Sequence, residues 1–198
     1  MLIIVGYILV LGPTVVGIGI SERTQPAAID CIARQLLWSE RRSGVERVFA
    51  FSIPHKRSFM HLDTVFTQID VDKFTIHPAI MGTLRVYELT AGKNPGDVNI
   101  RLIEDTLEHV LEDATGVDQV KLIPCGGGDP IAASREQWND GSNTLCIAPG
   151  RVVVYERNDV TNALLRKNNI DAIEIPSAEL SRGRGGPRCM SMPIWRED

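Results

Sequence analysis

The sequence predicts an α/β fold built from about three repeats of the order strand, strand, helix, strand. Three observations support this prediction: apolar runs of strand length, amphipathic stretches with helical spacing, and the return of the same order along 198 residues. The residue identities do not repeat, so the prediction rests on element order. Such repeats bury their faces against one another as blades do, and three of them form an open arc with exposed strand edges.

The first repeat begins with two apolar runs, Leu2 to Val10 and Thr14 to Ile20, separated by a turn at Gly12-Pro13. The first 21 residues carry no charged side chain, which raises the alternative of a membrane helix or a signal peptide. Glycines interrupt the stretch and no positive segment precedes it, so two buried strands are favoured. A helix over Pro26 to Ser43 and a strand over Val45 to Ile53 complete the repeat.

The same order then returns twice. The second repeat has strands over His61 to Ile69 and Lys73 to His77, a helix over Val98 to Ala114 and a strand over Val117 to Ile123. The third repeat has strands over Thr144 to Ala148 and Arg151 to Glu156, a helix over Val160 to Asn168 and a strand over Ile170 to Ile175. Between them, Gly126-Gly127-Gly128 lacks the ending of a phosphate-binding loop, so we predict a turn there.

Composition narrows the possible classes of function. With 43% hydrophobic and 23% charged residues, residues 1–198 are predicted to form one domain. A net charge of −4 gives no basic surface for nucleic acid, and no membrane partner is expected. The four cysteines, Cys31, Cys125, Cys146 and Cys189, form no Cys-x-x-Cys pair and are interpreted as reduced thiols of a cytoplasmic protein without a zinc site. The expected substrate is a small molecule.

The segment from Gly183 to Met190 places Cys189 on a loop rich in glycine and arginine. An electropositive, flexible loop lowers the pKa of a thiol and makes its thiolate available, which indicates a nucleophile. The alternative is a glycine-rich tail whose cysteine only packs. On composition alone, both interpretations stay open.

A second candidate is the pair His61 and Asp63. Residues two apart on a strand point to the same side, so both side chains can face one cavity, and a histidine beside a carboxylate is suited to proton transfer. One alternative is a polar strand edge. Another is a two-histidine, one-carboxylate iron site that adds His77 or His109.

A third candidate, Arg23, follows the end of the second predicted strand, where it could clamp a carboxylate through two hydrogen bonds. The alternative is a surface ion pair with Glu22 or Asp30.

Three segments, residues 60–66, 135–141 and 182–192, together resemble characteristic stretches of the arginine deiminase family, in the family's order. The resemblance runs from about Ile8 to the last residue. It implies a pentein fold, a five-bladed β/α-propeller of strand, strand, helix, strand units, of which about three are present. Residues 1–198 would then be the C-terminal part of an arginine deiminase catalytic domain.

The resemblance also implies a reaction, the hydrolysis of L-arginine to citrulline and ammonia. It makes Cys189 the nucleophile that attacks the guanidinium carbon and His61 the acid and later the base. The residues implied to bind substrate are Asp63 for the guanidinium, Arg23 and Arg184 for the α-carboxylate, and Gly183. The covalent route requires no metal ion and no organic cofactor.

The chain departs from the family near its start. The family carries a Glu-Gly-Gly-Asp stretch whose glutamate orients the catalytic histidine, whereas this chain has Ile4 to Tyr7 there, and a second guanidinium-binding aspartate lies further upstream in the family. Loss of these carboxylates weakens substrate binding and proton transfer. We therefore expect an incomplete site with weak or absent turnover unless a separate N-terminal half is supplied, and the expected partners are such a half or a homo-oligomer. The alternative is a non-catalytic remnant or interaction module.

Overall fold

A computed structural model describes residues 8–39, 43–56, 59, 61–82, 84–183 and 185–194. Its elements are β1 (Ile8–Gly12), β2 (Val15–Ile20), α1 (Pro26–Leu37), β3 (Arg47–Ser52), β4 (Phe66–Gln68), β5 (Lys73–Ile76), β6 (Arg85–Ala91), β7 (Val98–Ile103), α2 (Leu107–Thr115), β8 (Lys121–Pro124), α3 (Pro130–Trp138), β9 (Leu145–Ala148), β10 (Arg151–Tyr155), α4 (Asp159–Lys167) and β11 (Asp171–Ile175). The chain divides into two compact units: unit 1 comprises residues 1–62 and 79–120, and unit 2 comprises residues 63–78 and 121–198.

Unit 1 is organised around a five-stranded sheet in the order β1-β2-β3-β6-β7. β1 and β2 pair antiparallel across the predicted turn, and β3 pairs parallel to β2 after the crossover through α1. Ile29 and Ala33 on α1 pack with Val16, Ile18 and Val48 of the sheet, because apolar residues of the helix recur on the face it turns to the strands. α2 packs against β1.

Unit 2 contains two three-stranded sheets, β4-β5-β8 and β11-β10-β9. In each sheet the middle strand pairs antiparallel with one neighbour and parallel with the other. Ile69, Ile123, Val152 and Leu165 belong to its buried apolar cluster. The antiparallel and parallel pairs found here repeat those of β1, β2 and β3 in unit 1, so the predicted threefold repetition is confirmed in the pairing.

The second repeat differs most from its prediction. The predicted helix over Val98 to Ala114 is wrong in its first half, which forms β7 and pairs antiparallel with β6. The helix begins only at Leu107, after Thr106 caps it by accepting a hydrogen bond of 3.3 Å from the His109 N–H. Alternation of apolar residues at Val98, Ile100 and Leu102 has the period of a strand, and this signal outweighs helical spacing.

Other elements depart from the prediction more simply. The strand predicted over His61 to Ile69 is wrong for its first part, because Leu62–Thr64 forms a 3-10 turn and the strand covers only Phe66–Gln68. α3 and β6 were not predicted, although Asp129 caps α3 and Pro130 opens it. Gly126 and Gly127 take left-handed conformations in the predicted turn. The start of the first predicted strand, residues 2–7, lies outside the described residues.

No helix in the described part of the chain combines the length and the apolar character needed to cross a bilayer. The longest helix, α1, has 12 residues.

Candidate functional site

Asp63, the first residue of unit 2, is a fully buried acidic residue. It lies in the 3-10 turn at Leu62–Thr64 and its side chain has no solvent exposure. The turn is held because the Asp63 carbonyl accepts a hydrogen bond of 2.9 Å from the Thr67 hydroxyl and one of 3.5 Å from the Asn143 side-chain amide. A carboxylate in such a place needs a strong partner, since burial of an uncompensated charge is costly.

That partner is Arg188. Its guanidinium donates a hydrogen bond of 2.7 Å from Nη1 to Oδ2 of Asp63, and its side chain is 23% exposed. A carboxylate oxygen of Asp63 also lies within 4.8 Å of the Cys189 sulfur. A guanidinium, a carboxylate and a thiol therefore meet in unit 2, which agrees with the predicted proximity of Asp63 and Cys189.

The loop that carries Cys189 is fixed at two places. Gly185 has φ +112°, a conformation that favours glycine, and its carbonyl accepts a hydrogen bond of 2.9 Å from the Tyr155 hydroxyl. At the cysteine itself, the Cys189 N–H donates a hydrogen bond of 3.1 Å to Oδ1 of Asn143. The loop is thus a bonded part of unit 2.

The electrostatic environment of Cys189 differs from the sequence prediction. Burial of the thiol and the negative charge of Asp63 raise its pKa from 9.0 to about 11, although the residue as a whole is exposed. The predicted lowering of the pKa is wrong for this arrangement because Arg188 is engaged by Asp63. With such a pKa, the sulfur is a neutral thiol at physiological pH.

His61 lies at the end of unit 1, two residues before Asp63, and it is half-buried. It does not lie on a strand, so the alternation used to place both side chains on one face does not apply. Its predicted role in proton transfer stays a prediction.

The iron alternative needs His77 or His109 as a second histidine ligand. Nδ1 of His109 lies 2.8 Å from Asp105 on the exposed N-terminal turn of α2, and this pair raises the pKa of His109. Within the described ranges, neither His77 nor His109 belongs to a group of three side chains able to hold a metal ion. The geometry does not favour a two-histidine iron site.

The predicted substrate-binding residues outside this cluster are placed as follows. Arg23 is an exposed residue of unit 1, three residues after β2, and its N–H donates a hydrogen bond of 3.1 Å to the Ser21 hydroxyl. Gly183 ends an exposed 3-10 turn, Leu180–Gly183, in unit 2. Arg184 lies outside the described residues.

Three residues of the site were not singled out from the sequence: Arg188, Asn143 and Tyr155. Arg188 stands directly before the cysteine in the motif, and attention to a cation beside a nucleophile could have found it. Asn143 follows the second characteristic segment by two residues. Tyr155 gave no local signal, because its role depends on the tertiary position of β10.

Comparison with solved structures shows the fold. An amidinotransferase from Microseira wollei, SxtG, aligns over 98% of this chain and 47% of its own length with a TM-score of 0.64 at 14% identity. ArgZ, an arginine dihydrolase from the ornithine-ammonia cycle in cyanobacteria, aligns over 96% of this chain and 24% of its own with a TM-score of 0.59 at 15% identity. At such identities the similarity concerns the mixed α/β fold alone.

Comparison by sequence is more specific. Arginine deiminases from Treponema denticola and Clostridium perfringens are 61% and 58% identical over 193 residues, which cover 98% and 96% of this chain. The same alignments cover 47% and 46% of those proteins, so this chain spans about half the length of these relatives. The family model described as arginine deiminase matches residues 3–196. The predicted resemblance is confirmed, and the chain belongs to the arginine deiminase family.

Proposed function

We propose that this chain supplies the C-terminal part of an arginine deiminase catalytic domain, which hydrolyses L-arginine to L-citrulline and ammonia. The observation that carries the proposal is the ion pair of Arg188 with Asp63 beside the Cys189 thiol. This protein-derived guanidinium already makes the contact that the guanidinium of a substrate requires. Free arginine would displace Arg188 from Asp63 and bring its own guanidinium carbon next to the sulfur.

The chemistry then proceeds in two halves. The Cys189 thiolate adds to the guanidinium carbon, and the bond from that carbon to one terminal nitrogen breaks as His61 gives the nitrogen a proton, which releases ammonia. Water, activated by His61, adds to the resulting amidino-thioether carbon. The bond between carbon and sulfur breaks, citrulline leaves and the thiolate returns.

The raised pKa of Cys189 fits this order of events. Without substrate the thiol is neutral, because burial and Asp63 raise its pKa to about 11. Arginine bound to Asp63 would bring its cationic guanidinium next to the sulfur, and a cation at that position stabilises a thiolate. We propose that arginine binding itself promotes loss of the thiol proton, so that the reactive form exists chiefly when substrate is present.

The remaining contacts belong to the same proposal. Arg23 and Arg184 would bind the α-carboxylate of arginine, with Gly183 at their side, since paired guanidinium groups suit a carboxylate. The three repeats would be three of the five blades of a pentein propeller. Because these relatives are about twice as long, a separate N-terminal half would supply the two carboxylates that this chain lacks, and a homo-oligomer is the other proposed partner.

Citrulline production from L-arginine tests the proposal. The chain would be assayed alone and after mixing with a separately produced N-terminal half of a full-length relative, with Cys189→Ser as the matched inactive variant. We expect weak or no citrulline from the chain alone and clear production from the mixture. Vigorous turnover by the chain alone contradicts its incompleteness. Equal citrulline from Cys189→Ser, or none from any mixture, contradicts the reaction.

A second candidate is the non-catalytic interaction module. The last strand of the unit 1 sheet, β7, exposes Ile100 and Leu102, at 60% and 45%. Apolar side chains on an edge strand favour association with another chain. Sedimentation over a range of concentrations distinguishes the candidates: self-association without any citrulline supports the module, and a monomer at every concentration argues against association through this strand.

A further inference from the structure

We propose that Asn143 is a positioning residue for the Cys189 nucleophile. This inference rests on the proposed function, in which Cys189 attacks the guanidinium. Asn143 is fully buried and makes two hydrogen bonds from one amide group. Its Oδ1 accepts from the Cys189 N–H at 3.1 Å, and its Nδ2 donates to the Asp63 carbonyl at 3.5 Å. One side chain therefore ties the nucleophile to the segment that carries the guanidinium-binding carboxylate.

The backbone of the cysteine loop lies unusually close to Asn143. A Cβ atom added to Gly186 would come within 2.5 Å of both the backbone oxygen and Oδ1 of Asn143, a distance that atoms do not tolerate. Only glycine allows this approach. The loop is thus held to Asn143 by close packing at Gly186 as well as by the hydrogen bond from Cys189. Both contacts restrict the position of the sulfur relative to Asp63.

Asn143 is itself held by the turn that follows α3. Its N–H donates a hydrogen bond of 2.9 Å to the Asp140 carbonyl, and Asp140 has the left-handed φ of +59° that is common just after the end of a helix, here α3. The preceding carbonyl, of Ser142, accepts a hydrogen bond of 3.2 Å from Thr75 on β5. A side chain carried on a backbone bonded in this way has little freedom to move with the loop.

The turn is anchored in turn by Glu136 on α3. The Gly141 N–H donates a hydrogen bond of 2.8 Å to the Glu136 carbonyl. The buried Glu136 carboxylate accepts from the Val160 and Thr161 N–H groups at the start of α4, at 3.0 and 2.9 Å. The second characteristic segment of the sequence, which includes Glu136, therefore acts through Asn143 on the segment that includes Cys189.

Several groups face the Cys189 sulfur from different elements. Asp63 and Asp140 raise the pKa of the thiol, while the Asn143 side chain and the Gly186 backbone lower it. Tyr155 on β10 is also near enough that the thiolate raises its pKa, and Arg188 is the adjacent cation in the loop. Asn143 differs from Asp63 and Asp140 because it forms a hydrogen bond with Cys189 and carries no charge.

The test measures alkylation of Cys189 by iodoacetamide as a function of pH, with mass spectrometry of the peptide that carries it. This measurement needs no arginine turnover. In Asn143→Ala the thiol loses a hydrogen bond that lowers its pKa, but the released loop exposes the sulfur to solvent. Burial is the largest cause of the raised pKa, so the net pKa should fall from about 11 toward the ordinary 9.0. Each unit of that fall increases the thiolate fraction at pH 8 about tenfold, and we expect alkylation at least tenfold faster.

Asn143→Asp is the isosteric companion. It keeps the oxygen that accepts from the Cys189 N–H and adds a negative charge, so the loop should stay in place and alkylation at pH 8 should become slower than in the unmodified chain. The two variants should therefore change alkylation in opposite directions. A purely structural role for Asn143 predicts no such opposition.

Asn162→Ala is the matched control, because Asn162 is also a buried asparagine of unit 2 and donates to the Tyr155 carbonyl at 3.0 Å without touching Cys189. We expect it to lower stability and leave the alkylation profile unchanged. Wild-type alkylation in a folded Asn143→Ala chain overturns the proposal. Where Asn143→Ala fails to fold, Asn143→Asp decides, and alkylation as fast as in the unmodified chain overturns it.

In a mixture that makes citrulline, Asn143→Ala should lower kcat with little change in KM, since the substrate contacts remain. Citrulline missing from every mixture, together with the expected alkylation changes, rejects the proposed reaction and leaves the positioning of Cys189 supported. The two failures are therefore distinguishable.

Discussion

The two compact units bury polar side chains to very different extents. Of the 16 buried polar residues found in the described ranges, 13 lie in unit 2, whereas unit 1 has three, Ser21, Thr24 and Glu88. Each buried polar group costs free energy unless it is hydrogen-bonded. Unit 1 is thus built chiefly by apolar packing, and unit 2 accepts the cost of polar burial in order to fix a carboxylate, a thiol and an amide.

The acidic residues show what the difference means. Glu88 in unit 1 forms ion pairs with Arg47 and Arg101, whose side chains reach solvent. These ion pairs connect the neighbouring strands β3, β6 and β7. Asp63 in unit 2 has no exposure and holds a guanidinium beside a thiol. The same kind of ion pair therefore serves packing in one unit and, we propose, substrate binding in the other.

The largest expected effect is that of Asp63→Asn, which removes the charge and keeps the shape. In a mixture active with arginine, loss of this buried charge partner should lower kcat/KM by about 2–5 kcal/mol, or roughly 30- to 5,000-fold. Because the charge of Asp63 raises the pKa of Cys189, the same variant should be alkylated faster at pH 8. Turnover and alkylation should thus move in opposite directions.

Cys189→Ser serves as its control, since it removes both signals. Slower alkylation in a folded Asp63→Asn chain would show that the carboxylate does not act on the thiol.

Apolar patterns in the sequence predicted some of the helices and strands and missed others. The alternation and helical spacing of apolar residues predicted α1, α4 and most strands, because local periodicity reports burial directly. It did not predict β6, and β7 was predicted as part of a helix although its apolar residues alternate with the period of a strand. The repetition itself was visible because element order survives when residue identities do not.

The site was predicted through its motifs and less well through its physics. Asp63 and Cys189 meet as expected, yet the expected strand under Asp63 is a 3-10 turn and the pKa of Cys189 is raised where it was expected to fall. The pKa follows from tertiary contacts, namely burial of the thiol and the charge of Asp63, while Arg188 pairs with Asp63 across 125 residues of sequence. Charge in a loop does not reveal which charges are already paired.

The next effect in size concerns Glu136→Gln, which tests whether polar burial in unit 2 is costly. The amide has one accepting oxygen where Glu136 has two, so its NH2 group would face the N–H of either Val160 or Thr161. We expect a loss of about 2–3 kcal/mol in the free energy of unfolding, measured by urea denaturation. A smaller loss than that of Glu88→Gln in unit 1 would contradict the view that polar burial is more costly in unit 2.

Glu88→Gln is the unit 1 counterpart, with an expected loss of about 1 kcal/mol, because its arginine partners are partly solvated. Burial alone would raise the pKa of Glu88, but Arg101 and Arg47 outweigh it and lower the pKa below 4.5. Its contribution to stability should therefore be present above pH 4.5 and disappear as the pH falls through the lower folded value. Urea denaturation at pH 7 and at pH 4 measures this, and a pH-independent difference between the chains would count against it.

The smallest effect is expected for Asp105→Asn, because the Asp105–His109 pair is exposed to solvent. The hydrogen bond that Asp105 accepts from His109 raises the pKa of His109 above 6.5, and both side chains are solvated at the N-terminal end of α2. Such a raised pKa stabilises the fold below pH 6.5 and ceases to do so as the pH rises through the folded value. In an NMR titration the variant should bring the His109 pKa back toward 6.5, while Cys189 alkylation stays unchanged. A change in alkylation would mean that the charge of Asp105 in unit 1 affects the Cys189 thiol in unit 2. This result would contradict the assignment of packing to unit 1 and of the proposed chemistry to unit 2.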